Sequence, residues 1–469
     1  MSLERLRVAG LPSIATLGRW LREGSLGSVE LTRHCLDLVA AHDTRIHAFT
    51  ALTTARALAE AAAADADFRE GRDRGPLQGI PYAVKDLIDV RGEATTCHSR
   101  LRLAHRAADD AVVVRRMTEA GAVLLGKLAT HEFALGGPAF DLPFPPARNP
   151  WNLAHAPGSS SSGAGAAVAA GFVRLAIGTD TAGSVRLPAA WSGAVGLKPT
   201  YDRVSREGIF PLAWSLDHCG PITASVDDAR LALQAMAPRR APCTGHDAAR
   251  PITIGVPRSQ FAASPELQPD VAAALERCIA ALRALGLSVV DVELPPYAQF
   301  YACNWVVMLS EAFSVHRADL AQRFDDYSVT STRRFALGAT LDAGEYLDAQ
   351  RLRRSLSDAV ESAFGQCDLL LNPTVLRTAP RLDSFGDSFL RSQAVQASLY
   401  SVTGHPAISV PVGLDHAGLP IGLQLAAGFH REATLLRGAT LLESASGWQA
   451  GAARCARPAP AAIAATLAG

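Results

Sequence analysis

The sequence predicts an α/β protein, in which helices cover the faces of a β-sheet. Short apolar runs of strand length, such as Ile80–Val84 and Ala122–Gly126, alternate with helical patterns such as Val112–Ala120. This alternation is typical of sheets flanked by helices. Apolar residues make up 48% of the chain and charged residues 19%, as in ordinary globular proteins. With 469 residues the chain can bury a large core, and length alone allows one to three domains.

The N-terminal elements follow from local patterns. Ser28 is predicted to cap a helix whose apolar positions recur at helical spacing, and the alanine-rich stretch Thr50–Asp67 is predicted to be a second helix. The polar segment Glu70–Gln78 is predicted to be a loop. The run Ile80–Val84 then reads as a strand that ends at Lys85.

The second half contains one apparent discontinuity. Ala237–Arg250, "APRRAPCTGHDAAR", has the composition of a linker or an insertion. A predicted strand, Ile252–Val256, and a long predicted helix, Pro269–Leu285, follow it. The Ala- and Pro-rich tail from Ala450 is expected to be peripheral.

The charge balance, the cysteine spacing and the apolar runs argue against several classes of protein. Forty-five basic residues balance forty-five acidic ones, so no nucleic-acid or anionic-membrane surface is expected. The eight cysteines form no C-x-x-C motif or paired framework. The N-terminal "MSLERLRVAG" lacks the apolar core of a secretory signal, and no apolar run reaches the length of a membrane span. The sequence therefore predicts a cytoplasmic protein.

A run of four serines stands in "APGSSSSGAGAAVAAG", residues Ala156–Gly171. It can be a flexible linker, an anion-binding loop or a catalytic loop. A linker is disfavoured because the run leads directly into a helical segment and a predicted strand, Val173–Ile177. A dinucleotide-binding loop is also disfavoured, because that motif must follow a strand and "NLAHAPGSSSS" is not one.

A second small-residue turn, Gly178–Pro188, follows that strand and contains Ser184. Its backbone N–H groups can form a nest for an oxyanion, with Ser184 as the nucleophile. Alternatively, Ser184 only caps a helix that begins near Leu187. His155 and His218 flank the region, but neither lies in a setting that marks it as a base.

Lys85 is the other candidate base. A lysine buried at the end of an apolar strand has a lowered pKa and can act as a neutral amine. Alternatively, Lys85 extends to solvent or pairs with Asp86 or Asp89. Local patterns alone favour the second alternative.

Five segments appear in one order: "GIPYAVKD", "PGSSSSG", "GTDTAGSVRLPAAWSGAVGLKPTYDRVSREG", "SLDHCGPI" and "GHPAISVPVG…GLPIGLQLAA". Together they resemble the amidase signature family of serine hydrolases, from about Leu17 to Glu443. The resemblance implies a single domain over residues 1–469, with a three-layer α/β/α fold and a central twisted mixed β-sheet flanked by helices. It also implies catalysis without a metal or cofactor, by a monomer or a homodimer.

The resemblance assigns a Ser–cis-Ser–Lys triad. Ser184 takes the nucleophile position, Lys85 the base position and Ser160 the relay position between them. Ser160 and Ser184 are 24 residues apart, the separation found in the family. The peptide bond between Ser159 and Ser160 is expected to be cis. The oxyanion hole maps to the backbone N–H groups of Thr181, Ala182, Gly183 and Ser184.

The chain departs from the family pattern without losing a triad residue. Ser159 and Ser162 replace common glycines, and Ala164 replaces a serine. Ala182 and Asp202 also replace glycines; aspartate tolerates a positive φ better than most residues if position 202 requires one.

The implied reaction is hydrolysis of a carboxamide to a carboxylate and ammonia or an amine, with a small-molecule substrate and water as the only partners. Carbamates (urethanes), anilides and esters fit the same chemistry. A glutaminase subunit of the amidotransferase type is disfavoured because Ser310–Phe324, "SEAFSVHRADLAQRF", lacks the "YDG" associated with that subunit. A catalytically inactive scaffold is disfavoured by the intact triad.

By the same resemblance, the substrate pocket is formed by residues 131–146, 209–214, 305–313 and 375–390. The residues expected to line it are Leu135, Gly136, Gly137, Phe140, Phe210 and Trp214.

Overall fold

A computed structural model describes residues 10–238, 251–385 and 393–448. Its described strands form one sheet in the order β1-β3-β2-β4-β6-β5-β10-β11-β9-β7-β8. β2 is parallel to β3 and β4, and β7 is parallel to β8 and β9, whereas the other pairs are antiparallel. The strands are β1 Phe49–Leu52, β2 Pro81–Lys85, β3 Val123–Leu128, β4 Leu175–Asp180, β5 Val195–Lys198, β6 His218–Thr223, β7 Thr253–Val256, β8 Ser288–Asp291, β9 Leu369–Pro373, β10 Ala407–Leu414 and β11 Pro420–Ala426.

Thirteen α-helices in the same ranges flank this sheet, which confirms the predicted α/β/α class with a mixed sheet. They are α1 Ile14–Arg22, α2 Ser28–Ile46, α3 Thr54–Arg69, α4 Val112–Glu119, α5 Ser162–Ala169, α6 Arg186–Ser192, α7 Val226–Met236, α8 Pro269–Ala284, α9 Tyr297–Gln322, α10 Val329–Gly338, α11 Ala343–Ala363, α12 Ser398–Thr403 and α13 Glu432–Ser446.

Two N-terminal predictions are wrong in detail. Ser28 is the first residue of α2 and not its cap, because its hydroxyl donates to the Gly79 carbonyl at 3.0 Å. Thr50 lies in β1 and not in a helix, because antiparallel pairing of β1 with β3 outweighs the helical tendency of the following alanines. The helix begins only at Thr54.

The predicted discontinuity at 237–250 lies almost wholly outside the described residues, as does the C-terminal tail. β7, which follows the discontinuity, joins the same sheet through β9. Asp202 has a φ of 66°, so this aspartate adopts the left-handed conformation that glycine favours. Within the described ranges, no helix has the length and apolarity needed to span a membrane.

The carboxyl ends of β2 and β4 bring three segments together: Lys85, the serine run and the turn that contains Ser184. β2 and β4 are adjacent and parallel, with Val84 opposite Ile177, so Lys85 and the end of β4 lie side by side. The serine run leads into α5, and Gly158 packs so closely on α6 that a Cβ there would lie 2.4 Å from Pro188 Cα. The turn after β4 leads into α6.

Candidate active site

Lys85 is completely buried at the end of β2. Its Nζ donates to Ser160 Oγ at 2.7 Å and to Thr179 Oγ1 at 2.8 Å. The next residue, Asp86, forms an ion pair with Lys127 at 2.9 Å. The alternatives in which Lys85 reaches solvent or pairs with Asp86 are therefore wrong.

Burial lowers the pKa of Lys85 from 10.5 to about 7, because an ammonium ion loses its hydration in the protein interior. The carboxylates of Asp217 and Asp180 act in the opposite direction and keep the pKa from falling further. Near neutral pH, a large fraction of Lys85 is therefore a neutral amine that can accept a proton.

Each serine of the run has a distinct environment. Ser159 Oγ donates to Ser184 Oγ at 3.2 Å, while Ser160 contacts Lys85. Ser161 Oγ donates to the Thr179 carbonyl at 3.1 Å and accepts from its amide at 3.3 Å, which fastens the run to β4. Ser162 is the first residue of α5. These contacts exclude a flexible linker.

Two expectations for this run differ from the structure. All described peptide bonds are trans, so the expected cis bond between Ser159 and Ser160 is wrong; the trans form is the one that most non-proline residues prefer. In addition, the hydroxyl that contacts Ser184 belongs to Ser159. Within the described segments, no direct hydrogen bond joins Ser160 to Ser184.

Ser184 lies half-buried in the turn between β4 and α6. It does not cap α6, whose N-cap is Val185 without a side-chain capping bond. Asp180 fixes the turn by accepting from the amides of Gly183 at 2.8 Å and Val185 at 3.2 Å. Burial alone would raise the pKa of Asp180, but Arg186, paired with it at 3.0 Å, holds that pKa below its usual value.

The same turn presents the predicted oxyanion-hole amides. The Gly183 amide is not available, because it already donates to Asp180. The amides of Thr181, Ala182 and Ser184 meet no acceptor within residues 10–238, 251–385 and 393–448. These three amides can therefore receive an anionic oxygen.

Ser184 opens into a cavity of about 670 Å³, including its open mouth, which we call the nucleophile cavity. Leu135, Gly136 and Gly137, which the sequence predicts to line the substrate pocket, lie in its wall. Its other lining residues are His131, Ala134, Ser159, Ser160, Thr181, Ala182, Leu187, Leu212, Tyr301, Asn304, Trp305, Met308, Arg334, Val395 and Ser398.

Three expected pocket residues lie outside this cavity. Phe140 is 62% exposed. Phe210 packs against Phe133 with ring centroids 5.1 Å apart, and with Trp214 it lines a separate cavity. The expected segment 375–390 extends beyond the described residues, and Val395 and Ser398 line the nucleophile cavity beyond it.

Several residues that support the site were not assigned roles from sequence. Asp217 accepts from Thr181 Oγ1 at 2.6 Å, and Asn304 donates to the Thr181 carbonyl at 3.2 Å. Burial raises the pKa of Asp217 to about 6. The motif "SLDHCGPI" contains Asp217 and could have drawn attention to it, whereas no local signal distinguishes Asn304.

In the described part of the chain, no group of three or more His, Cys, Asp or Glu side chains is arranged to hold a metal ion. Catalysis without a metal or cofactor stays a prediction.

Comparisons with known proteins identify the family. The sequence model described as Amidase matches residues 30–436. The chain is 38% identical to one subunit of the glutamyl-tRNA(Gln) amidotransferase of Moorella thermoacetica, over 91% of this chain and 95% of that protein. Its fold is similar to a crystal structure of an amidase, with a TM-score of 0.85, 31% identity, and coverage of 92% of this chain and 99% of that one. The fold is also similar to that of the peptide amidase of Stenotrophomonas maltophilia, with a TM-score of 0.81 and 31% identity. The match covers 92% of this chain and 96% of that one. The chain belongs to the amidase family.

Proposed function

We propose that the protein is a serine hydrolase that cleaves the C–N bond of carboxamides through an acyl-enzyme on Ser184. One observation carries the proposal: a fully buried lysine amine with a pKa of about 7 contacts the serine run that borders Ser184. A neutral amine, neighbouring serine hydroxyls and backbone amides able to receive an anionic oxygen are the groups that acyl transfer requires.

In the first half-reaction, neutral Lys85 accepts the Ser184 proton by way of the Ser160 hydroxyl, to which it is hydrogen-bonded. This transfer requires Ser160 to approach Ser184, because the hydroxyl that contacts Ser184 in the structure is that of Ser159. Ser184 Oγ bonds to the carbonyl carbon, and the resulting oxyanion binds the free amides of the turn. Collapse of this intermediate breaks the C–N bond, and the proton on Lys85 passes to the leaving nitrogen. Water then attacks the ester, Lys85 accepts a proton from that water and returns it to Ser184, and the carboxylate departs.

The same steps hydrolyse carbamates, anilides and esters, and these remain alternative substrates. The proposed amidase acts alone, as a monomer or homodimer in the cytoplasm, on a small molecule.

The glutaminase component of an amidotransferase is the second candidate, because the chain is 38% identical to a protein of that kind. Glutamine carries a carboxylate and an ammonium group. Arg334 lines the nucleophile cavity and suits the carboxylate, but the described lining contains no Asp or Glu for the ammonium. This disfavours glutamine. Isolation of the tagged protein with a stoichiometric partner, together with glutamine hydrolysis, would favour the second candidate.

The proposal is tested by labelling and turnover on one preparation. A fluorophosphonate probe should label the wild-type enzyme at Ser184, and Ser184→Ala should lose both labelling and hydrolysis of amides. Ser160→Ala is the control, because it retains the nucleophile and should label slowly. Labelling that persists in Ser184→Ala would place the nucleophile elsewhere. A panel of amides, anilides, carbamates and esters identifies the preferred bond.

A further inference from the structure

The peptide group between Thr181 and Ala182 carries one of the three amides that can receive the oxyanion, that of Ala182. Its carbonyl oxygen, that of Thr181, accepts a hydrogen bond from Asn304 Nδ2 at 3.2 Å. In the part of the chain that the structure describes, this peptide group makes no other hydrogen bond. Its orientation therefore depends on Asn304, a buried residue of α9.

The C=O and N–H bonds of this peptide group point in opposite directions, because the peptide bond is trans. Asn304 lies on the carbonyl side, so the N–H bond of Ala182 is directed away from Asn304. Thr181 and Ala182 line the nucleophile cavity together with Ser184. Holding the carbonyl therefore fixes the direction in which the amide is presented to a substrate.

The turn has a second feature that acts on the same peptide group. The resemblance to the family places a glycine where this chain has Ala182. Ala182 has a negative φ, and rotation of the peptide group by half a turn would bring this φ to a positive value. Glycine adopts positive φ readily, whereas the Cβ of alanine disfavours it. Ala182 therefore opposes the rotation that would turn its own amide away.

We propose that Asn304 and Ala182 are positioning residues that together hold this peptide group with its amide toward the oxyanion. Asn304 acts through its hydrogen bond to the carbonyl, and Ala182 acts by disfavouring the rotated form. The hydrogen bond also polarises the peptide group, which strengthens the amide as a donor. This inference rests on the proposed amidase function.

The test compares Asn304→Leu, Ala182→Gly and the double variant with wild type. Leucine is close to asparagine in size but cannot donate a hydrogen bond. Cys303→Ala is the matched control, because Cys303 is the neighbouring residue of α9 and both residues are 2% exposed. Cys303 Sγ donates to the Ala349 carbonyl at 3.2 Å, so its removal does not touch the turn.

Two quantities are measured for each enzyme. The first is the pair of kcat and KM values for one amide. The second is the affinity for a trifluoromethyl ketone, which forms a tetrahedral adduct with the nucleophilic serine and places its oxyanion on the same amides.

Asn304→Leu should lower kcat roughly five- to tenfold, the scale of one hydrogen bond, and leave KM within about twofold. The affinity for the trifluoromethyl ketone should fall by a similar factor. Ala182→Gly alone should change kcat by less than about twofold, because Asn304 still holds the carbonyl. The double variant should lose more than the product of the two single losses, because both obstacles to rotation are then absent. Cys303→Ala should change neither quantity.

Three results would overturn the proposal: an unchanged kcat in Asn304→Leu, an equal loss in Cys303→Ala, or a double variant that equals the product of the single losses. The pH profile provides a further check, because neither residue contacts Lys85. Its rising part should keep its position in every variant, and a shift would assign the loss to the base instead. A wild-type enzyme that hydrolyses no amide would refute the proposed function, whereas normal hydrolysis with independent losses would refute only the positioning role.

Discussion

The pH dependence of catalysis tests the role of Lys85 directly. An unperturbed lysine is neutral in only about one molecule in three thousand at pH 7. Burial of Lys85 lowers its pKa to about 7, so about half of the molecules carry a neutral amine at that pH. We therefore expect log kcat/KM to rise with unit slope below pH 7 and to level off above about pH 8.

Asp217 has a pKa of about 6, so its titration could produce a similar rising part, or limb, of the pH profile. The variant Asp217→Asn separates the two groups, because an amide does not titrate. It also removes the carboxylate that raises the pKa of Lys85. The limb should therefore persist in Asp217→Asn and move to lower pH. Disappearance of the limb would assign it to Asp217.

Replacement of the lysine completes the test. Lys85→Ala should lower kcat/KM by roughly two to four orders of magnitude, the usual effect of losing a general base. Lys85→Arg should not restore activity, because a guanidinium group cannot be deprotonated in proteins. A flat pH profile in wild type, with chemistry rate-limiting, or near-normal activity of Lys85→Arg would refute the base role.

Three further predictions concern the serine run, the turn and stability. Ser159→Gly removes the hydroxyl that contacts Ser184 and should lower kcat roughly five- to tenfold, the scale of one hydrogen bond. Ser160→Ala removes the hydroxyl that contacts Lys85 and should lower kcat about a hundredfold or more. Steady-state kinetics in which Ser159→Gly has the larger effect would contradict these assignments. Gly183→Ala should abolish fluorophosphonate labelling, because φ is +115° and the new Cβ would lie 2.6 Å from a neighbouring Cβ; Gly171→Ala, with φ of +75° and nothing within 4 Å, is the control and should label normally. Lys85→Met should be more stable than wild type below pH 7, and the difference should vanish toward pH 10.5, because between these values the unfolded state binds more protons than the folded state. Urea unfolding at pH 6, 8 and 10 measures this gap, and a gap that does not narrow would contradict a neutral buried amine.

The sequence by itself determined the α/β class and the family, and the observed mixed sheet agrees with both. The motifs around the serine run and Ser184 are rich in small residues, because tight turns leave little space for side chains. A requirement of this kind is local, so it can be recognised in the sequence. Asp202 stands where the family carries a glycine, and its φ of 66° is the conformation that a glycine favours. Local patterns failed at Ser28 and Thr50, where the contact with Gly79 and the pairing with β3 lie outside the local segment.

Only the tertiary structure decided which groups meet at the site. The contacts of Lys85 join residues 75 and 94 positions apart, and the register of β2 against β4 sets them. Whether Ser159 or Ser160 contacts Ser184 depends on the backbone path of the run, which sequence spacing does not specify. Phe210 faces a second cavity because the packing of side chains from different elements determines which cavity it lines.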